Sequence, residues 1–74
     1  MPVVHVHTWE GRTVEQKRGL VAAITAAMVE HFDSNPDRTH VILHDIPLDS
    51  WGRNGELGVD LVARGAASSV EPPG

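Results

Sequence analysis

The chain has 74 residues, six basic and ten acidic, a net charge of −4 with neutral histidines, and no cysteine. A domain this small buries a modest share of its surface and usually needs disulfides, metal or association; lacking cysteine, it has neither disulfides nor thiolate chemistry. No basic patch suggests nucleic acid, no apolar run reaches the roughly 20 residues of a membrane span, and no signal-peptide pattern opens the chain, so the expectation is one soluble, cytoplasmic, homo-oligomeric domain.

Pro2 follows the initiator, and a small residue there permits removal of Met1. Removal would turn the Pro2 nitrogen from an amide into a secondary amine. An α-amino group ordinarily titrates at roughly 7.7–8.0. A ring amine is intrinsically more basic, but desolvation and nearby cations favour its neutral form. Such a group suits general-base work near neutral pH. Residues 3–9 alternate as a strand, with Val4, Val6 and Thr8 on one face and Val3, His5, His7 and Trp9 on the other. Bulk on both faces points to a sheet covered by a helix on one side and by another subunit on the other.

Gly11 and Arg12 break the strand. Thr13-Val14-Glu15-Gln16 fits a capping box, with Thr13 at the N-cap and Gln16 at N3. The helix is expected to run to Phe32, with Leu20, Val21, Ile24, Ala27, Met28 and Phe32 as its sheet-facing stripe. Glu15, Lys17, Arg18, Thr25 and Glu30 fall on the other side. Met28 and Phe32 are assigned to the core. The cluster Asp33-Ser34-Asn35-Pro36-Asp37 ends the helix, and a second strand is expected over Arg38 to Ile46. Its Val41-Ile42-Leu43 run suggests burial on both faces. The intervening helix is long enough for a right-handed crossover between parallel strands. The fold class is therefore α/β, a single β-α-β unit with parallel strands, completed by oligomerisation.

Residues 47–56 read as a loop rich in turn formers, and Leu57 to Arg64 as a short strand or helical turn. The domain is drawn at 2–64, with 65–74 as a disordered tail without periodicity. His5-x-His7 has a spacing compatible with a divalent metal, and His44 or Asp45 could add a third ligand. No fixed set of three or four ligands emerges, so these histidines are read as packing or hydrogen-bonding residues and no metal is assigned.

Met1-Pro2, Glu10-Gly11-Arg12, Glu15-Gln16-Lys17, the long helix, Val41-Ile42-Leu43 and the Trp51-Gly52-Arg53-Asn54-Gly55-Glu56 loop together resemble the 4-oxalocrotonate tautomerase family. The match runs without gaps from Pro2 to Arg64. The resemblance implies a cofactor-independent isomerase that moves a proton in a small unsaturated 2-hydroxy or 2-oxo acid. A 2-hydroxymuconate-like carboxylate from aromatic degradation is the expected substrate. It also implies a homohexamer built as a trimer of dimers. By the same resemblance Pro2 matches the general base, Arg12 the arginine that binds a substrate carboxylate, and Trp51 an aromatic wall.

His40 falls where the best-studied member has a second arginine, and Arg38 lies two residues before it. His40 could donate a hydrogen bond there, less well than a bidentate guanidinium. Arg53, where the loop usually carries an apolar residue, is the other candidate cation. Two alternatives stay open. A hydratase or dehalogenase acting on an unsaturated or 3-haloacrylic acid would need Glu56 or Asp45 to activate water. A non-catalytic small oligomeric binding protein would follow if Met1 were retained.

Overall fold

A computed structural model of the chain describes residues 1–67. Strand β1 (Val3–Trp9) leads into helix α1 (Val14–Phe32), a 3-10 turn (Pro36–Arg38) and strand β2 (His40–Ile46). A second 3-10 turn (Leu48–Ser50), strands β3 (Gly52–Arg53) and β4 (Glu56–Leu57) and helix α2 (Gly58–Ala63) follow. Strands β1 and β2 form one sheet and β3 and β4 another. At the start of β2 the His40 N–H donates to Pro2 O, and just past the end of β1 the Glu10 N–H donates to Ile46 O, each at 3.0 Å. Start meets start and end meets end, so β1 and β2 run parallel, as the crossover helix requires.

The chain divides into two compact units: Met1–Val6 with Thr13–His44, and His7–Arg12 with the chain from Asp45 onward. In the first unit the predicted capping box is complete. Gln16 N–H donates to Thr13 Oγ1 at 3.1 Å, and Thr13 N–H donates to Gln16 Oε1 at 2.9 Å. Asp33 closes α1 in the left-handed region at φ 55, a conformation that Asp tolerates better than most residues.

The buried face of α1 differs from the expected stripe. Lys17, Val21, Ile24, Thr25 and Met28 are half-buried, whereas Leu20 is exposed and Phe32 is 75 % exposed. Phe32 therefore leaves the core of the single chain, and Thr25 moves to the covered side. The Lys17 stem, long and apolar, can lie along the covered stripe while its ammonium reaches outward. On the sheet, Val4, Val6, Val41 and Leu43 are half-buried, while Val3, His5 and Ile42 are exposed. Burial of the Val41–Leu43 run on both faces thus does not arise within one chain.

Strand β2 begins at His40 and not at Arg38. Pro36 opens a 3-10 turn there, capped by Asn35 Oδ1, which accepts from Asp37 N–H at 2.9 Å. Proline fixes φ for the first position of such a turn. Arg38 consequently shares no strand face with His40.

In the second unit the expected loop contains a β-hairpin, with Gly52 opposite Leu57 and Arg53 opposite Glu56. Asn54 and Gly55 both take positive φ, 51 and 79, the two-residue type I′ turn that Asn-Gly favours. Strands of two residues are too short to show alternation, which is why the pattern reads as a loop. Between Leu57 and Arg64 the helical alternative is the one that forms. Gly65, Ala66 and Ala67 then bond back to the helix end, with Ala66 N–H donating to Leu61 O at 2.8 Å. The rest of the expected tail lies outside the described residues. Among the described residues, Trp9 and Leu61 are the buried hydrophobic side chains, each 3 % exposed.

Candidate active site

Pro2 stands half-buried at the head of β1, held by its carbonyl through the His40 bond. In the present chain its nitrogen is part of the Met1–Pro2 peptide bond and has no basic lone pair. Met1 is 85 % exposed, so removing it sacrifices little packing. The residue's two ends are thereby separated: the carbonyl anchors the strand, and the nitrogen takes no part in that bond. His40 joins Pro2 through its backbone, and its side chain is exposed.

Arg12, Trp51 and Arg53 fall in the second unit. Gly11 has φ 117, a backbone conformation nearly closed to residues with a Cβ, so the turn before Arg12 requires glycine. Arg12 and Trp51 are half-buried. The Trp51 carbonyl accepts from the Gly58 N–H at 2.7 Å, which ties the hairpin entrance to the first residue of α2. The Arg53 guanidinium carbon lies 5.9 Å from the centre of the Trp9 ring, within cation–π range.

Trp9 is the residue that sequence reasoning missed. Alternation placed it on the face of Val3, His5 and His7, which are exposed in the single chain, yet Trp9 is buried in the second unit. The signal available was Gly58, whose lack of a side chain lets the Trp9 ring approach. A Cβ there would lie 3.2 Å from Trp9 Cζ2 and 3.0 Å from Leu48 O.

Glu56 is committed to structure. Arg64 grips it with both prongs, Nε to Oε1 at 2.8 Å and an outer nitrogen to Oε2 at 2.6 Å. The hydrogen bond from Arg64, with the positive charges of Arg64 and Arg53, holds the Glu56 carboxyl below its ordinary 4.5 against a smaller opposing effect of desolvation. A carboxylate so stabilised is a weak base for activating water.

His5 pairs across the sheet with His44, Nδ1 to Nε2 at 2.8 Å, with ring planes within 19° of each other. One ring donates and the other accepts. Among the described residues no group of three or more His, Cys, Asp or Glu side chains is arranged to hold a metal ion. No helix among them is long and apolar enough to cross a membrane.

The chain is thus a parallel β-α-β unit with Pro2 bonded at the head of β1 and Arg12 on the turn after it. The chain belongs to the tautomerase family, whose enzyme model matches residues 2–60. It is 43 % identical over 56 residues to a probable tautomerase of Halalkalibacterium halodurans, covering 76 % of this chain and 92 % of that one. To a 2-hydroxymuconate tautomerase of Comamonas testosteroni it is 34 % identical over 61 residues, covering 82 % and 97 %. The structure resembles that of 4-oxalocrotonate tautomerase isozymes from Methylibium petroleiphilum, with a TM-score of 0.77, 35 % identity and coverage of 81 % and 97 %. Membership of this family supports an isomerase.

Proposed function

We propose that the chain, once Met1 is removed, is a cofactor-independent tautomerase of 2-hydroxymuconate-like acids. The observation that supports this reading is the anchoring of Pro2: its carbonyl is bonded into the sheet by the His40 N–H, a bond that does not use its nitrogen. In the proposed reaction the enol O–H proton passes to the Pro2 lone pair. The oxygen's electrons form the C=O, the carbon–carbon double bond shifts, and the proton returns to carbon. Arg12 binds a substrate carboxylate and draws electron density towards itself as charge develops, an effect stronger in a partly dry pocket than in water. Trp51 forms an apolar wall that helps keep the amine neutral, and His40 and Arg53 are the candidates for the second polar contact.

Ultraviolet kinetics of 2-hydroxymuconate ketonisation, on protein whose mass shows Met1 to be gone, test the reading directly. Turnover is expected. Inactivity of that protein on both 2-hydroxymuconate and phenylenolpyruvate would sink it.

The water-activating alternative finds no support in Glu56. Glu56→Gln is expected to show none of the ~10²–10⁴-fold loss that removal of a general base produces. Its effect should appear in stability. Because the folded carboxyl is held below 4.5, the Arg64 pairing contributes fully above that pH and is lost as pH falls through the lowered value. The wild-type melting temperature should therefore fall over that acid range more steeply than that of Glu56→Gln. Parallel melting curves would contradict the assignment.

The assembly proposed is a homohexamer in the cytoplasm. Val14 and Phe32 on α1 and Val3 and Ile42 on the sheet are exposed in the single chain. An open apolar hollow of about 390 Å³ lies along α1, lined by Val14, Lys17, Arg18, Val21 and Ala22 and separate from Pro2 and His40. So much uncovered apolar surface on so small a chain favours association. Light scattering at micromolar concentration should give an oligomer, and a monomer there would overturn this part.

A further inference from the structure

The structure assigns Asn54, at the tip of the β3–β4 hairpin, as a site of covalent modification. Its carboxamide condenses with the Gly55 backbone nitrogen and is then hydrolysed to aspartate or isoaspartate, at a rate governed by the Glu56–Arg64 pair. The inference rests on the hairpin alone and holds whatever reaction the chain catalyses.

The chain has two asparagines, Asn35 and Asn54, and the structure treats them in opposite ways. Asn35 precedes Pro36, whose ring nitrogen has no N–H with which to attack, and its Oδ1 is held by the Asp37 N–H at 2.9 Å. Asn54 precedes Gly55, and both residues are exposed with positive φ, 51 and 79. Nothing lies within 4 Å of where a Cβ on Gly55 would stand, so the approach to its nitrogen is open. Among the described residues no hydrogen bond holds the Asn54 carboxamide or the Gly55 N–H.

In the first step the Gly55 nitrogen attacks Asn54 Cγ. The N–Cγ bond forms, the Cγ–Nδ2 bond breaks, and ammonia leaves with the Gly55 proton. Water then opens the five-membered imide. Cleavage of the bond just formed restores an ordinary backbone with an aspartate side chain. Cleavage at the main-chain carbonyl instead routes the chain through Cγ, adding one main-chain atom to a turn of two residues. Either product carries a new carboxylate beside Arg53. This lability is one reason asparagine is sparse in proteins built for heat.

A planar imide needs a different backbone torsion at Asn54 from the left-handed one of the turn, so conversion follows local opening of the hairpin. Strands of two residues each supply few bonds against opening. The turn is closed from outside by Arg64, which grips both oxygens of Glu56, and Glu56 stands opposite Arg53. A contact eight residues further along the chain therefore sets how often Asn54 can react.

The test holds the full-length protein at mildly alkaline pH and physiological temperature. The hairpin peptide is mapped by mass spectrometry, and isoaspartate is detected with a methyltransferase that labels only that residue. Wild type is expected to show the mass change of amide to acid at Asn54, with methylatable isoaspartate, while Asn35 stays unchanged. Asn54→Gly, which keeps a residue suited to the turn, should take up no label. Arg64→Ala should convert faster than wild type by about two- to fivefold, the range for loss of an exposed ion pair. If circular dichroism shows Arg64→Ala unfolded, Glu56→Gln takes its place with the same expectation. Asn54 still intact in the native protein after the denatured chain has converted, conversion at Asn35, or label on Asn54→Gly overturns the site. Equal rates in wild type and a folded variant of the pair overturn its control by Arg64.

Discussion

Pro2→Ala is expected to lower kcat for 2-hydroxymuconate ketonisation by about 10²–10⁴-fold. The substitution keeps an α-amine at the terminus, so a base of ordinary pKa, roughly 7.7–8.0, remains. What it removes is the ring, which fixes φ and makes the nitrogen a secondary amine. Retaining Met1 is the more severe change, because the nitrogen becomes an amide with no basic lone pair at all. The expected order is therefore Met1-free wild type, then Pro2→Ala, then a Met1-retained form at background. The acid limb of kcat/KM should report the free amine in the first two forms. Equal activity with Met1 present and absent would remove Pro2 from the mechanism, since an amide cannot accept the proton.

Gly58→Val should produce the largest loss of stability. A Cβ at Gly58 would already lie 3.0 Å from the Leu48 carbonyl oxygen and 3.2 and 3.4 Å from Trp9 Cζ2 and Cε2. The carbonyl belongs to the backbone, and the Trp9 ring is boxed in. Overpacking typically costs about 1–3 kcal/mol, and the added methyl groups of valine place this site towards the upper end. For a domain of this size each kcal/mol lowers the melting temperature by roughly 4–8 °C, so a fall of about 10–20 °C is expected. Samples must share one protomer concentration, because assembly adds to apparent stability. Gly58→Ala should fall between the two, since a better helix residue offsets part of the clash. A valine variant melting with wild type would show that α2 can shift away from Trp9 at little cost.

The long elements were legible because their signals are redundant. β1 alternates over its whole length, and α1 carries a capping box, a stripe and a turn cluster that agree. The hairpin and α2 were not, since two-residue strands and a six-residue helix offer too few positions for a period to show. Pro2 could be nominated from its chemistry, and Arg12, Trp51, His40 and Arg53 from the resemblance to the tautomerase family. Trp9 could not: its burial depends on Gly58, far along the chain, and a strand pattern records only which side a residue leaves. Phe32 shows the complementary limit. A helix stripe reveals that a residue is apolar, but not whether its own chain or a neighbour will cover it.

The hydrogen bond from His40 to the Pro2 carbonyl also bears on how the protein matures in the cell. Strand pairing is indifferent to what is attached at the other end of that proline. A chain that escapes the aminopeptidase, or bears a leftover amino-terminal tag, should pass every checkpoint that senses folding and still be inert. Loss of function by that route would leave no trace in abundance, solubility or protease resistance, and only the mass of the amino terminus would reveal it.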